Sequence, residues 1–339
     1  MGRARNHMTA TALLDVSRLD ANIRRFHAKA AAAGVGVRAH VKAHRMVEVT
    51  RRQAAAGAAG IAVTYVREAR RHLPAGLRDV VMTWPWLEEW RWPLLAELGR
   101  DCDLSVHVDR ADGVTALAAA AREAGTVIGV RIEVGERTGD RSMTRDEVLA
   151  LAGAVEERPE LRLDGVTGYR ALMTPVEVRK RHDIGRGLAR LLVDRAEHLR
   201  AHRIPCPVVA VGGTPTADGA LDVDGVTEIC GGAYPLMDAG MAAADMCGFD
   251  DVALSIGATL LGGGRTDADE LLRGAAQPWT PPEEVATLAD GTPIPATAEP
   301  GTVVTLLPAH ICPLIVRLPG VDTAEGRWNV HHLPDEVPR

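Results

Sequence analysis

Val35-Gly36-Val37-Arg38-Ala39-His40-Val41-Lys42-Ala43-His44-Arg45 decides how this chain is read. A short apolar, β-branched run leads into Lys42, and a stretch of helical character begins at Met46. A β-branched run, a loop and then a helix former open a strand-loop-helix unit. The lysine therefore belongs where a buried strand opens into a loop. Burial, with the neighbouring cations Arg38, His40, His44 and Arg45, would lower the pKa of such an amine and free it for imine chemistry. A solvated basic loop would carry the same residues, so the rest of the chain decides.

The unit recurs. Short β-branched runs at 37–41, 60–64, 79–83, 104–108, 127–133, 163–169, 208–211 and 226–229 alternate with Ala/Leu/Arg-rich amphipathic stretches such as 109–124, 144–157 and 177–202. The alanine content of those stretches favours helix. Eight such units predict an α/β fold, a closed (β/α)8 barrel of the TIM type rather than an open sheet. In such a barrel the chemistry gathers at the C-terminal ends of the strands. The unusual residues fall there: Lys42, Trp84, Arg137, Tyr169, the Gly212-Gly213-Thr214 turn and the Gly231-Gly232 turn.

Past residue 247 the pattern changes to shorter β-like runs at 252–261, 302–307 and 313–318, broken by Gly and Pro. The expected division is a tail at 1–12, the barrel at 13–247 and a second, mainly β domain at 248–339. Residues 276–282, with three prolines and no periodicity, read as a surface connection.

Composition excludes several classes. Apolar residues at 46% and charged residues at 25% are the proportions of a soluble globular protein. A net charge of -6, with no long Lys/Arg cluster, argues against a nucleic-acid partner. No run reaches the roughly 18 to 20 apolar residues of a membrane span, and the polar first residues are not a signal peptide. The expected location is the cytoplasm. Five cysteines at wide, irregular spacing do not form a disulfide framework, and four read as buried thiols.

Two loops and one pair carry further chemistry. Val211-Gly212-Gly213-Thr214-Pro215-Thr216 follows the seventh run and Gly231-Gly232-Ala233-Tyr234 the eighth, the two places where barrels commonly bind phosphate. Glycines let backbone N–H groups converge on an anion, and threonine hydroxyls add donors. An amine at one end and an anion cup at the other imply pyridoxal 5'-phosphate. In the second domain His310 and Cys312 lie two apart, and on a strand such residues share a face and can hold one metal ion. The soft thiolate leans toward zinc, with manganese as the alternative.

Residues 38–45 resemble the cofactor-lysine motif of the D-threonine aldolase and D-serine dehydratase group, within the class that shares the alanine racemase N-terminal barrel. Ala39 stands where that group usually has proline. Glu133-Val134-Gly135-Glu136-Arg137-Thr138-Gly139 resembles the group's acidic-Val-Gly...Arg-x-Gly loop, which implies that Arg137 contacts the cofactor's phenolic oxygen. Gly165-Val166-Thr167-Gly168-Tyr169 is similar to the strand that brings a tyrosine beside the cofactor ring. Thr227 to Tyr234 looks like the group's Glu-x-x-Pro-Gly-x-Tyr turn, with Gly231 in place of the proline. The resemblance implies a phosphate held by Gly213, Thr214, Gly232 and Ala233 near Tyr234, and a metal held by His310 and Cys312.

The sequence also departs from the group. Arg170-Ala171 follow Tyr169 where the group has a His or small polar residue and a glycine. Arginine stays protonated and cannot accept a proton, which leaves His40 and His44 as candidate bases. Trp84, Trp86, Trp90 and Trp92 crowd one strand end in a chain only 3% aromatic, as helix packing or as a wall over the substrate.

By resemblance, then, the chain is a lyase and a homodimer acting on a small D-β-hydroxy-α-amino acid. Loss of the hydroxyl proton would split the α-β carbon bond, giving glycine and an aldehyde. Loss of the α-proton to Lys42 would expel the hydroxyl, giving a 2-oxo acid and ammonia. A racemase or epimerase, and a non-catalytic carrier of the cofactor, are the competing readings.

Overall fold

The computed structural model describes residues 10–83, 88–135, 142–332 and 334. Among these residues the contacts divide the chain into two compact units, one within residues 24–172 and 179–232 and one of residues 10–23, 173–178 and 233–331, with residues 332 and 334 assigned to the first. The first strand, β1 (Thr11–Leu14), belongs to the second of these units.

The larger unit is a closed parallel barrel of β2 (Gly36–His40), β3 (Gly60–Val63), β4 (Asp79–Met82), β5 (Asp103–Val108), β6 (Ile128–Glu133), β7 (Leu161–Tyr169), β8 (Val208–Gly212) and β9 (Glu228–Gly231). β9 pairs with β2 from Gly36↔Glu228 to Ala39↔Gly231 and closes the ring. The eight expected strands are present in the expected order, as a (β/α)8 barrel. Alternation along each strand sets what faces the helices. Ala39, Ile61, Val80, Leu104, Val106, Val130, Ile132, Val209 and Ile229 form one core with helix residues such as Leu98, Leu117, Val148 and Leu192. The helix Arg145–Glu156 starts at Thr144, whose side chain accepts from the Glu147 N–H while the Glu147 carboxylate accepts from the Thr144 N–H at 2.7 Å.

The other strand positions send polar side chains into the barrel. Arg38 donates to Asp79 Oδ1 and Oδ2 at 2.9 Å each and to Glu228 Oε1 and Oε2 at 2.8 Å each. Arg131 donates to Glu228 Oε1 at 2.5 Å. Arg38, Arg131 and Glu228 are 1%, 3% and 6% exposed, so these charges survive only by pairing. Burial pushes the Glu228 pKa up, and Arg38 and Arg131 more than reverse it, to about 2.

The second unit is built on one mixed sheet in the order β12-β13-β10-β1-β14-β15, from β10 (Leu254–Gly262), β12 (Ala286–Leu288), β13 (Val303–Pro308), β14 (Gly320–Thr323) and β15 (Gly326–Asn329), with β11 (Arg265–Thr266) paired to β10. Three expectations need correction here. Residues 11 and 12 are not tail: β1 pairs antiparallel with β10 and parallel with β14, burying Ala12 and Leu14. The stretch after β13 is not a strand but the helix Ile311–Ile315. Pro313 is its third residue, in the first turn, where the missing N–H would bond to nothing. The unit also starts at Ala233 rather than near residue 248. Among the described residues no helix is long and apolar enough to cross a membrane.

Candidate active site

Lys42 lies on a single 3-10 turn, Val41–Ala43, directly after β2. Val41 and Ala43 are 0% and 2% exposed, whereas Lys42 between them is exposed. The expected buried amine is thus an open one, because its two apolar neighbours take the inward positions of the turn. Arg45 closes the turn with φ 55°, a left-handed conformation unusual outside glycine, and its N–H bonds to Val41 O at 2.8 Å.

His40, the last residue of β2, belongs to a polar cluster at the same strand ends. Its Nε2 is 3.4 Å from Thr83 Oγ1 after β4. On β5, His107 Nδ1 donates to Glu133 Oε2 on β6 at 2.8 Å, a bond buried at both ends. Burial holds the His40 pKa well below its usual value, and the charges of Lys42, His107 and His44 add to the effect. The low pKa keeps the His40 ring neutral and makes it a weak base, a hydrogen-bonding group at the strand ends rather than a store for protons. His44 is closed off from them: it is 0% exposed, burial pushes its pKa to about 3, and its Nδ1 accepts the Met46 N–H at 3.2 Å.

The glycine loops form a rim. Gly213 has φ +110° and donates its N–H to Cys230 O at 3.0 Å, tying the loop after β8 to β9. That N–H is therefore committed, and Gly213 contributes space rather than a donor. A Cβ on Gly213 would stand 3.3 Å from Tyr169 Cε2, and one on Gly212 3.1 Å from Tyr169 Cβ, so the tyrosine lies across this loop. Tyr169 is 45% exposed, which leaves its ring open to a planar ligand. Gly232, after β9, would bring a Cβ within 3.1 Å of Ala43 Cβ and 3.2 Å of His40 O. The structure therefore brings Lys42, His40 and Gly232 together at one strand junction, and Tyr169 with Gly213 at another. Thr214 continues the Gly213 loop. An exposed amine, a glycine-lined rim and an open aromatic face fit a flat phosphorylated aldehyde.

Arg137, Trp84 and Trp86 lie outside the described residues. Trp92 packs against the barrel core, and the Arg91 guanidinium lies 4.8 Å from the Trp90 ring centroid. Ala233 and Tyr234 open the second unit, where Tyr234 is fully buried.

His310 and Cys312 belong to that unit too. His310 caps the helix Ile311–Ile315 with extended backbone at φ -143° and ψ 116°, and Cys312 is the helix's second residue. The strand alternation expected to align them is absent, because the chain turns helical between them. Burial lowers the His310 pKa, opposed by a hydrogen bond to the Ala276 carbonyl. One ring nitrogen is thereby occupied as a donor, and a neutral ring leaves the other as a lone-pair ligand. Among the described residues no cluster of three or more His, Cys, Asp or Glu side chains could hold a metal. An ion on this pair would keep open positions, the arrangement of a catalytic rather than a closed structural site.

Residues 14–226 match the family described as alanine racemase, N-terminal domain. The chain belongs to that family. Within it, the chain is 37% identical over 262 residues to the D-threo-3-hydroxyaspartate dehydratase of Delftia sp. (strain HT23), covering 75% of this chain and 68% of that protein. It is 32% identical over 232 residues to the D-threonine aldolase of Arthrobacter sp., covering 68% of this chain and 61% of that one. The solved Delftia dehydratase superposes with a TM-score of 0.81 at 28% identity, over 96% of this chain and 97% of the other. A variant of that dehydratase has been solved in a metal-free form. The D-threonine aldolase from Filomicrobium marinum shares the fold, with a TM-score of 0.78 at 20% identity over 95% and 94% of the two chains.

Sequence reasoning missed His107, Thr83 and the role of Glu133 as its partner. The signal was present for two of them. Ser105 and His107 alternate with Leu104, Val106 and Val108, and Arg131 and Glu133 alternate with Val130 and Ile132. In a closed barrel, polar residues at every second strand position face the interior.

Proposed function

We propose that this protein is a lyase dependent on pyridoxal 5'-phosphate and a divalent metal, which converts a D-configured β-hydroxy-α-amino acid of the 3-hydroxyaspartate class to a 2-oxo acid and ammonia. The observation that carries the reading is the convergence of the exposed Lys42 turn, the Gly232 loop and the neutral His40 in a barrel of this family. The 37% identity to the Delftia dehydratase favours dehydration over carbon-carbon cleavage.

Bound at this rim, pyridoxal 5'-phosphate supplies an electrophile for the substrate amine and a sink for charge at the α-carbon. Lys42 Nζ would hold it, the Tyr169 face would flank its ring, and Gly213, Thr214, Gly232 and Ala233 would border its phosphate. Arg137 is proposed for its phenolic oxygen. Lys42 Nζ takes the α-proton. His40, held neutral two residues before Lys42, would pass protons on from that amine rather than keep them, and the His107–Glu133 bond would fix which nitrogen of His107 carries hydrogen. His310 and Cys312 would hold the metal, zinc before manganese, which would supply a Lewis acid for the departing β-hydroxyl. The expected homodimer belongs to the same reading and is checked by light scattering.

The test is proton NMR in deuterated buffer. Protein loaded with zinc and pyridoxal phosphate is mixed with D-threo-3-hydroxyaspartate, D-serine and D-threonine. Oxaloacetate and ammonia from the first are expected. Glycine and glyoxylate would make the enzyme an aldolase, and α-deuteration without loss of substrate a racemase. No change in any substrate would leave a carrier.

A further inference from the structure

Within the second unit the His310 turn is held by residues far from it in sequence. Asp238 is 1% exposed, and three donors meet its carboxylate. The Met241 N–H bonds to Oδ1 at 2.8 Å, and Gln277 Nε2 lies 2.9 Å from both oxygens. The third is the backbone N–H of Ile311, 3.4 Å from Oδ2, and Ile311 is the residue between His310 and Cys312. Gln277 is 4% exposed, so the segment expected to be a surface connection sends its glutamine into the interior.

The same two segments also reach the imidazole and the preceding strand. Ala276, next to Gln277, supplies the carbonyl that bonds to the His310 ring. Gly240, two residues after Asp238, donates its N–H to Ala309 O at 3.0 Å. No side chain fits at Gly240, since a Cβ there would stand 2.3 Å from Gln277 Cγ and 2.5 Å from Ala309 O. Ala309, the His310 ring and the Ile311 N–H are thus each bonded by one of these two segments.

We propose that Asp238 and Gln277 are the positioning residues of the His310 and Cys312 metal pair, fixing the Ile311 backbone so that imidazole and thiolate are set before the ion arrives. This rests on the metal reading given under the proposed function. Neither residue is itself a ligand. Asp238 acts on the backbone between the ligands, and Gln277 holds the Asp238 carboxylate while its neighbour Ala276 orients the ring. Outer partners of this kind typically change metal affinity by about 10- to 100-fold.

Cobalt(II) is the probe, because a thiolate ligand gives it a charge-transfer band independent of turnover. The full-length chain loaded with pyridoxal phosphate is titrated with cobalt in wild type, Asp238→Asn and Gln277→Met, alongside the melting temperature of each metal-free protein. The expected result is a thiolate-cobalt band in wild type, about 10- to 100-fold weaker binding in both variants, and the same band shape once cobalt saturates. Affinities within twofold of wild type in both variants overturn the inference. So does an altered band at saturation for Asp238→Asn, which would make Asp238 a ligand. If Asp238→Asn does not fold, Gln277→Met decides alone, since it keeps the length of the side chain and removes the amide that meets Asp238. A wild type without a thiolate-cobalt band refutes the metal reading itself, a result distinct from unchanged affinity in the variants.

Discussion

In the barrel, the polar cluster at the strand end that leads into Lys42 comes largely from strand positions, and the strands fix where its members point. His40, His107 and Glu133 each sit near a strand's C-terminal end, on β2, β5 and β6. In the β unit, His310 and Cys312 stand on a strand exit and a short helix, and what holds them comes from Asp238 and Gln277. A barrel gives a side chain its direction through the pleat, so a site there tolerates sequence change between its members. A turn gives no such direction, so the second site depends on a few individual hydrogen bonds. The two regions should therefore fail differently when they are altered.

The largest effect is expected at Lys42. On the proposed reading Lys42→Ala removes both the group that would hold the cofactor and the base for the α-proton, so turnover of D-threo-3-hydroxyaspartate should fall ~1,000-fold or more. The cofactor's visible absorption should revert to that of free pyridoxal phosphate. Because Lys42 is exposed on its turn, the melting temperature should hardly move. A variant that keeps more than a tenth of the activity would remove Lys42 from the mechanism.

Glu228 tests the barrel from beneath. Glu228→Ala leaves Arg38 with Asp79 as its one carboxylate among the described residues and leaves Arg131 without its buried carboxylate. Removing one partner of a buried charge network costs about 3 to 5 kcal/mol, read from urea unfolding. A loss below about 1 kcal/mol would mean that the barrel interior is wetter than its burial implies.

A chelator separates the two regions. If the proposed metal is bound, its removal should lower formation of the 2-oxo acid about 100-fold, since the hydroxyl would lose its Lewis acid. Lys42 and the barrel rim are untouched, so α-deuteration of D-serine in deuterated buffer should persist, and zinc should restore product. Loss of both signals together would tie the His310 pair to substrate binding instead.

The same contrast explains what the sequence disclosed. The barrel was legible because β-branched runs and glycine loops recur, and Lys42, Tyr169, Gly213 and Gly232 stand where strands end. β1 was not, because its four residues pair with partners such as Gly257 and Ile256, more than two hundred positions away. Pro313 misled because a proline after apolar residues reads as the edge of a strand, yet it is equally at home in a first helical turn. Asp238 and Gln277 carry no local pattern at all. Their bonds to the His310 segment and to each other span separations of 73 and 39 residues, and only tertiary packing brings them together.

The smallest effect concerns His44, which the sequence offered as a base and the structure makes a buried support. Its folded pKa of about 3 lies below its unfolded value of 6.5, so the unfolded chain takes up the proton first as pH falls. The neutral ring costs no stability above pH 6.5, and stability is then lost progressively between 6.5 and 3. Glu228, lowered from 4.5 to about 2, adds its own loss only further down, as pH falls through that window. Between pH 7 and 5 the two are therefore separable. His44→Asn keeps an acceptor for the Met46 N–H but cannot titrate. The variant should be less stable than wild type at pH 7, and by pH 5 that gap should shrink by about 2 kcal/mol, since each unit below the unfolded pKa costs the wild type about 1.4 kcal/mol. Urea unfolding at the two pH values measures it. An equal gap at both would mean that His44 meets the proton in the folded state, and would return it to the barrel-mouth chemistry beside His40.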